Sequence, residues 1–268
     1  RVPNNQLTSL DVSANTALTK LYCNGNILTS LDVSANTALT AVRCHSNPEL
    51  YCIKVADVDQ AEQDWGDDIS TWMVFSTDCE SYVPAMHVPD DNFEQALIDL
   101  GYDDVLDDYV LIENISGVTE LNVSSGSISD LTGIEAFISL NTLICGSNQI
   151  TEVDLSNNTA LTVLSIGGNQ LTSLDVSNNT SLTLINCHLN QITDLNLSNA
   201  TALTSLSCRN NNLTELDLSS NVALTSLSVY GNQLTSLDLS NNTALEQLWC
   251  HSNQLTYLNM KNGVTDGL

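Results

Sequence analysis

A thirteen-residue segment occurs twice in this chain, and the two copies lie 21 positions apart. The segment, LTSLDVSANTALT, runs from Leu7 to Thr19 and again from Leu28 to Thr40. A second stretch keeps the same step in its asparagines and in its leading apolar residues. The asparagines are Asn148, Asn169, Asn190, Asn211, Asn232 and Asn253, and the apolar residues are Leu143, Leu164, Ile185, Leu206, Leu227 and Leu248. Such a period predicts a stack of similar supersecondary units.

Each unit follows the pattern L-x-x-L-x-C-x-x-N-x-L-x-x-L-D-L-S-x-N-x-x. It holds two apolar triplets that alternate inward and outward, for example Leu206–Cys208 and Leu216–Leu218, which predicts two short strands per coil. A single coil cannot bury its own apolar edge, so its stability must come from neighbouring coils. The recurring asparagine is expected to turn the chain and to bond backbone groups.

This pattern resembles the leucine-rich-repeat family, in particular the short 21-residue class of secreted surface proteins of Bacteroidetes-type bacteria. The resemblance covers nearly all of residues 1–56 and 121–268. It implies a leucine-rich-repeat solenoid, a β-rich right-handed superhelix with two short parallel strands per coil. It also implies a secreted or cell-surface location, export by the type IX route, and protein or glycan partners. Both ends of the chain fall inside a repeat, so further domains are expected beyond them.

The period is broken over residues 57–113, which hold more than half of the 32 acidic residues and no Lys or Arg. Within this stretch, residues 88–101 predict a helix with an acidic first turn, a shared face of Phe93, Leu97 and Leu100, and a stop at Gly101. The segment resembles the N-terminal cap of a new array, and residues 128–134 resemble the first coil of internalin-like proteins. The predicted order is the end of a first array (1–56), an acidic C-cap and linker (57–82), a helical cap (83–120) and a second array (121–268).

The cysteines divide into two groups. Six of them occupy one inward position of the repeat, where a thiol fills apolar space: Cys23, Cys44, Cys145, Cys187, Cys208 and Cys250. One ligand per coil cannot surround a zinc ion tetrahedrally, which disfavours a metal site there. Cys52 and Cys79 lie off that register, and a disulfide between them would pin the end of the first array and imply an oxidising compartment. The alternative is a pair of free buried thiols.

The net charge of the chain disfavours two classes of partner, nucleic acids and anionic membranes. The formal net charge of −26 would repel nucleic-acid phosphates and anionic lipid head groups. No apolar run approaches the roughly 20 residues that a membrane span requires. Histidines His188 and His251 lie three coils apart, about 14 Å by strand spacing, which is too far for a shared catalytic role. The sequence therefore predicts a binding protein without nucleic-acid partners, membrane insertion or catalysis.

Aromatic and basic residues concentrate at outward positions of the Leu-x-Cys strand and just after it. These residues are Tyr22, Arg43, His45, His188, Arg209, Tyr230, Trp249 and His251. Aromatic and Arg side chains are enriched at protein interfaces, so we predict that this face binds the ligand. The alternative is a surface on which these side chains vary without constraint.

The other strand presents a row of acids, which is typical of a solvated surface. Its members are Asp11, Asp32, Asp154, Asp175, Asp217 and Asp238, with Asn196 and Asn259 in two coils. A denser acidic group in the cap, Asp103, Asp104, Asp107 and Asp108, is a candidate calcium site, although its spacing is not that of an EF-hand loop. No other cofactor is expected.

The sequence is compatible with three functions. The first is an adhesin or protein-binding scaffold. The second is a structural spacer or fibre-forming element that associates with copies of itself or with a surface-anchoring complex. The third is an accessory region of a larger secreted enzyme.

Overall fold

The computed structural model describes residues 1–48, 50–66, 69–70, 73–79 and 84–260. It contains two compact units, Arg1–Pro84 and Ala85–Leu268, each with its own β-sheets. Parts of the predicted linker 57–82, and the predicted second array from residue 261 onward, lie outside the described residues. Among the described residues, no helix is long and apolar enough to cross a membrane.

Unit 1 contains two parallel sheets. Strands β1 (Lys20–Tyr22) and β3 (Ala41–Arg43) form one sheet, and β2 (Leu31–Asp32), β4 (Cys52–Lys54) and β5 (Val74–Ser76) form the other. Leu21 pairs with Val42, so adjacent coils are offset by the predicted 21 residues.

The end of unit 1 is a structured cap. Helix α1 (Val58–Trp65), which the sequence pattern did not predict, begins where the Asp57 carboxylate accepts the Gln60 N–H. Trp65 at its end packs edge-to-face on Phe75 of β5, with ring centroids 5.9 Å apart. The predicted disulfide Cys52–Cys79 is present, with its Cα atoms 5.7 Å apart.

Unit 2 opens with a small cap. Strand β6 (Ala85–His87) pairs antiparallel with β7 (Tyr109–Leu111), and helices α2 (Asp91–Asp99) and α3 (Ile112–Ile115) complete it. The predicted helix over 88–101 is confirmed but shorter. Phe93 and Leu97 are buried as expected, whereas Leu100 is 46% exposed because the helix ends before it. Gly101 follows at φ +79°, a left-handed conformation that glycine adopts without strain.

One aspartate joins this cap to the first coil. Asp90 Oδ1 accepts the N–H groups of Asn92 and Phe93 at the start of α2. Its Oδ2 accepts the N–H and Oγ–H of Ser129 and the N–H of Asp130. These bonds lower the pKa of Asp90 although burial, the largest single influence, acts to raise it. The carboxylate thus caps a helix and fixes that helix to the repeat.

The body of unit 2 is a seven-stranded parallel sheet. Its strands are β8 (Glu120–Asn122), β9 (Thr142–Ile144), β10 (Val163–Ser165), β12 (Leu184–Asn186), β14 (Ser205–Ser207), β15 (Ser226–Ser228) and β17 (Gln247–Trp249). The first register step, Leu121 to Leu143, is 22 residues, and the later steps are 21. The chain therefore folds as a leucine-rich-repeat solenoid.

The second strand of each coil is less regular than predicted. It forms the pairs β11 (Ser173–Asp175) with β13 (Asp194–Asn196) and β16 (Ser236–Asp238) with β18 (Tyr257–Asn259). Residues 152–154 and 215–217 occupy the same position without strand pairing. In the first coil a 3₁₀ turn forms at Ile134–Ala136.

The inward residues form the expected columns. Leu143, Leu164, Ile185, Leu206 and Leu227 are each at most 1% exposed. The six cysteines of the repeat position are also inward and form no disulfide; five of them are buried and Cys250 is half-buried. Burial raises the pKa of Cys145 and Cys187 to about 12, so these side chains are neutral thiols that fill apolar space.

The asparagine of each coil bonds the backbone of its own coil and of the preceding one. Asn211 Nδ2 donates to the carbonyls of Cys208 and Cys187, and its Oδ1 accepts the Ile192 N–H. The bonding scheme of Asn211 recurs at Asn169, Asn190, Asn232 and Asn253. A second buried column, at Asn158, Asn179, Asn221 and Asn242, donates to two carbonyls of the preceding coil. Two amide columns therefore satisfy the backbone at the two bends of each coil.

Candidate binding face

The outward side of the seven-stranded sheet presents two neighbouring columns, because alternate residues of a strand point to opposite sides. We call the two columns together the sheet face. The strand column is Ile144, Ser165, Asn186, Ser207, Ser228 and Trp249, and the exit column is Gly146, Gly167, His188, Arg209, Tyr230 and His251. Of the eight predicted binding residues, the five from His188 onward lie on this face.

Three exit-column side chains from consecutive coils contact one another. Arg209 Nη1 donates to the Tyr230 hydroxyl at 2.8 Å, and its guanidinium lies 5.5 Å from the centre of the Tyr230 ring. The Tyr230 ring stacks on the His251 ring, with centroids 4.5 Å apart and planes inclined by 12°. The guanidinium and both rings are thus fixed before a ligand arrives, which reduces the entropy lost on binding.

The exit column has glycines at its first two positions, Gly146 and Gly167, because neighbouring atoms leave no room for a Cβ there. A Cβ on Gly167 would lie 2.5 Å from the His188 ring, and a Cβ on Gly146 would lie 2.9 Å from the Gly167 carbonyl oxygen. The His188 ring therefore lies back over Gly167, where its Nδ1 bonds the Asn186 side chain. Burial, and then the charge of Arg209, lower the pKa of His188, so the ring is neutral at pH 7.

The remaining predicted binding residues lie in unit 1. Tyr22 is contacted by two cations, with the Arg1 guanidinium 4.5 Å and the Arg43 guanidinium 5.3 Å from its ring centre. His45 is exposed and bonds the Ser46 hydroxyl. Because Tyr22 and Arg43 are the last residues of β1 and β3, an Arg–Tyr pair recurs on the Leu-x-Cys side of both units. Tyr22, Arg43 and His45 therefore belong to unit 1 and the other five predicted binding residues to unit 2, and ligand binding by all eight stays a prediction.

The sheet face from β9 to β17 carries no carboxylate. Its outward residues at the starts of the strands are Thr142, Val163, Leu184, Ser205, Ser226 and Gln247, and none of these is acidic either. In a chain with 32 acidic and 6 basic residues, this is a local exception. Depletion of like charge together with exposed aromatic groups is typical of an interface core.

The acidic row on the other strand has a structural role that the sequence analysis did not predict. Asp217 Oδ1 accepts the Ser219 N–H, two residues along, at 2.9 Å. The same turn recurs at Asp11, Asp32, Asp154, Asp175 and Asp238, and Asn196 forms it with its amide oxygen. Hydrogen bonds from Ser219 lower the pKa of Asp217. The row is thus a set of turn-forming side chains.

The candidate calcium ligands lie in the cap of unit 2. Within the described part of the chain, no three His, Cys, Asp or Glu side chains converge as a metal site requires. Glu94, which the sequence analysis passed over, is fully buried instead, and its Oε1 accepts the N–H groups of Asp107 and Tyr109. Burial, more than the neighbouring acids, raises the pKa of Asp103. Calcium binding at Asp103, Asp104, Asp107 and Asp108 stays a prediction.

Comparisons with known proteins found partial similarities. No protein-family model matches the chain. A 71-residue stretch, 26% of the chain, is 39% identical to internalin J of Listeria monocytogenes serotype 4b. The similarity to internalin J is confined to that stretch. The match spans only 8% of internalin J.

Three solved structures to which the chain is similar come from two bacteria. The functional domain of InlJ from Listeria monocytogenes, which includes a cysteine ladder, is 31% identical with a TM-score of 0.43, over 65% of this chain and 51% of that one. Internalin C2 of the same species is 24% identical with a TM-score of 0.48, over 63% and 87%. A leucine-rich-repeat protein of Leptospira interrogans is 16% identical with a TM-score of 0.46, over 96% and 79%.

Proposed function

We propose that this chain is a non-catalytic scaffold that binds a protein partner through the sheet face of unit 2. The observation that carries the proposal is the arrangement of Arg209, Tyr230 and His251, which hold one another in place on a surface without carboxylates. Trp249, 44% exposed, adds a large aromatic side chain beside them. Aromatic and Arg side chains dominate the binding energy of protein interfaces.

The proposed location is the cell surface or the surrounding medium. The Cys52–Cys79 disulfide supports it, because such bonds persist in oxidising compartments. A Bacteroidetes-type source, export by the type IX route and an adhesive role remain predictions from the sequence resemblance.

Two features support a role without catalysis. The His188 ring is neutral and fixed against Gly167 and Asn186, so it is poorly placed to exchange protons with a substrate. The buried cysteines are neutral thiols, and a thiol must ionise to act as a nucleophile.

A binding screen with two matched variants tests the proposal. The purified chain is exposed to a panel of extracellular proteins and glycans, and affinities are measured by surface plasmon resonance. The face variant carries Tyr230→Ala, Trp249→Ala and His251→Ala, and the control carries Glu152→Ala and Glu215→Ala, both exposed on the acidic side. We expect the face variant to lose at least about a hundredfold in affinity for a protein ligand.

The control variant should bind that ligand as the unchanged chain does, and all three proteins should melt at similar temperatures. A protein ligand whose affinity survives in the face variant but falls in the control would contradict the proposal. A ligand found only among the glycans would replace the protein partner with a carbohydrate.

A further inference from the structure

We infer that the sheet face recognises a protein segment in which a carboxylate stands next to an aliphatic side chain, with the carboxylate on Arg209 and the aliphatic group on Leu189. The inference rests on the proposed function and specifies its ligand. The backbones of the two residues are adjacent in the segments that follow β12 and β14, because the Leu189 N–H donates to the Arg209 carbonyl at 3.0 Å.

Arg209 provides the charge. It is the only Lys or Arg between residues 55 and 260. Among the described residues it forms no ion pair with a carboxylate, although the chain is rich in acids, and its side chain is only half exposed. One of its five N–H donors is used by the Tyr230 hydroxyl, which orients the guanidinium and leaves the other donors for a ligand. A planar carboxylate matches that geometry.

The backbone conformation and the exposure of Leu189 support the inference independently of Arg209. Its φ is +54°, in the left-handed region that is unfavourable for leucine, and its side chain is 51% exposed. The equivalent residues of the other coils share this conformation but tolerate it better; they are Ser147, Gly168, Asn210, Gly231 and Ser252. Backbone strain retained for an exposed apolar group that adds nothing to the core points to a contact with a partner.

The surroundings restrict the ligand to a single negative charge. His188 beside Arg209 is neutral, so the site offers one cation within a chain of net charge −26. A sulfated or phosphorylated polymer would meet strong repulsion from that total charge, whereas one carboxylate meets mainly the local guanidinium. An aliphatic neighbour favours a protein segment over a sugar acid, because Leu189 would desolvate sugar hydroxyls without bonding them.

A titration with two matched peptides tests the inference. The probes are acetyl-Leu-Glu-Leu-amide and acetyl-Leu-Gln-Leu-amide, added to the full chain labelled with ¹³C in leucine methyl groups and ¹⁵N in arginine. We expect the Glu peptide to shift the Leu189 methyl and Arg209 Nε–H resonances and to bind about tenfold more tightly than the Gln peptide, as one lost charge-assisted hydrogen bond implies.

Two variants separate binding from folding. Arg209→Gln should reduce the affinity for the Glu peptide to that for the Gln peptide. Leu189→Asn introduces asparagine, the residue that the next coil carries at the equivalent position, Asn210. This variant should lower the affinity for both peptides while leaving the melting temperature unchanged or raised.

Equal shifts with the two peptides, or no shift at Leu189 and Arg209 with either, would overturn the inference. Methyl glucuronide is the third probe, and a response to it in the absence of a response to the Glu peptide would assign the site to a sugar acid. A panel ligand that is lost in the Tyr230–Trp249–His251 variant but kept by both Arg209→Gln and Leu189→Asn would leave the proposed function standing and refute this ligand.

Discussion

The two strands of each coil in unit 2 use their outward residues differently. We call the second strand of each coil, with its row of aspartates, the acidic edge. On the acidic edge, Asp217 bonds the N–H of Ser219 in its own coil, and the same residue pair recurs along the row. On the sheet face, Arg209 and Tyr230 bond side chains of neighbouring coils, and no two coils carry the same set. The inward Asn211 already satisfies the backbone at that bend. Outward residues that recur in every coil stabilise the turns of the coil itself. Outward residues that differ from coil to coil are not needed for the backbone and can contact a partner.

The largest expected effect comes from removing a repeated inward residue. Asn211→Ala would leave the buried Ile192 N–H without its acceptor and would remove one of the two amide donors at each of the Cys187 and Cys208 carbonyls, so it should lower the free energy of unfolding by about 3 kcal/mol. Urea denaturation measures the loss. The side chain of the neighbouring exposed Asn212 makes two long bonds, one to the Gln191 carbonyl and one from the Gln233 side chain, and Asn212→Ala should cost under about 0.5 kcal/mol. Similar losses in the two variants would contradict the structural role of the inward column.

A smaller effect is expected on the acidic edge. Asp217→Ala removes the acceptor for the Ser219 N–H and should cost about 1 kcal/mol, measured by the same denaturation. Asp217→Asn keeps an oxygen in that place, as Asn196 does naturally, and should cost less than half as much. If the Asn variant proves as unstable as the Ala variant, charge rather than turn geometry explains the row.

Acid should also weaken the turns of this edge. Hydrogen bonds from the following serines lower the pKa values of Asp175 and Asp217 below the ordinary 3.8. The stabilisation from a lowered carboxyl pKa is fully present above the ordinary value and is lost as pH falls through the folded value. We therefore expect the melting temperature to be flat from pH 7 to about 5 and to fall below about pH 4. A variant with Asn at both positions should lose less on acidification.

The smallest effect on stability should come from the sheet face. Tyr230→Ala with Trp249→Ala removes exposed or half-exposed side chains that no coil needs for its backbone, so the free energy of unfolding should change by under about 1 kcal/mol. Thermal melting and urea denaturation check this. A loss as large as that of Asn211→Ala would show that the face stabilises the fold, and the contrast between the two edges would disappear.

Sequence alone determined the inward half of this protein. The 21-residue step fixed the Leu143–Leu206 column, the asparagine bonds and the free thiols, because each coil packs against a near copy of itself and inward positions must match. It also predicted the disulfide and the cap helix at Asp91–Asp99, since an off-register cysteine pair and an acidic first turn are local signals.

Tertiary structure decided the rest. Helix α1 forms where Trp65 meets Phe75, a contact between residues outside any repeat. Glu94 is buried where the N–H groups of Asp107 and Tyr109 bond it, whereas the sequence showed it only as one acidic residue in the first turn of the cap helix. The bonding of Arg209 to Tyr230 requires the 21-residue register and a particular pair of rotamers. The strain at Leu189 had a sequence signal, a lone leucine among Ser, Gly and Asn, but only the backbone angle gave it physical meaning. A repeat pattern specifies which side of the coil a residue faces, and contacts among unlike outward side chains follow only from their positions in space.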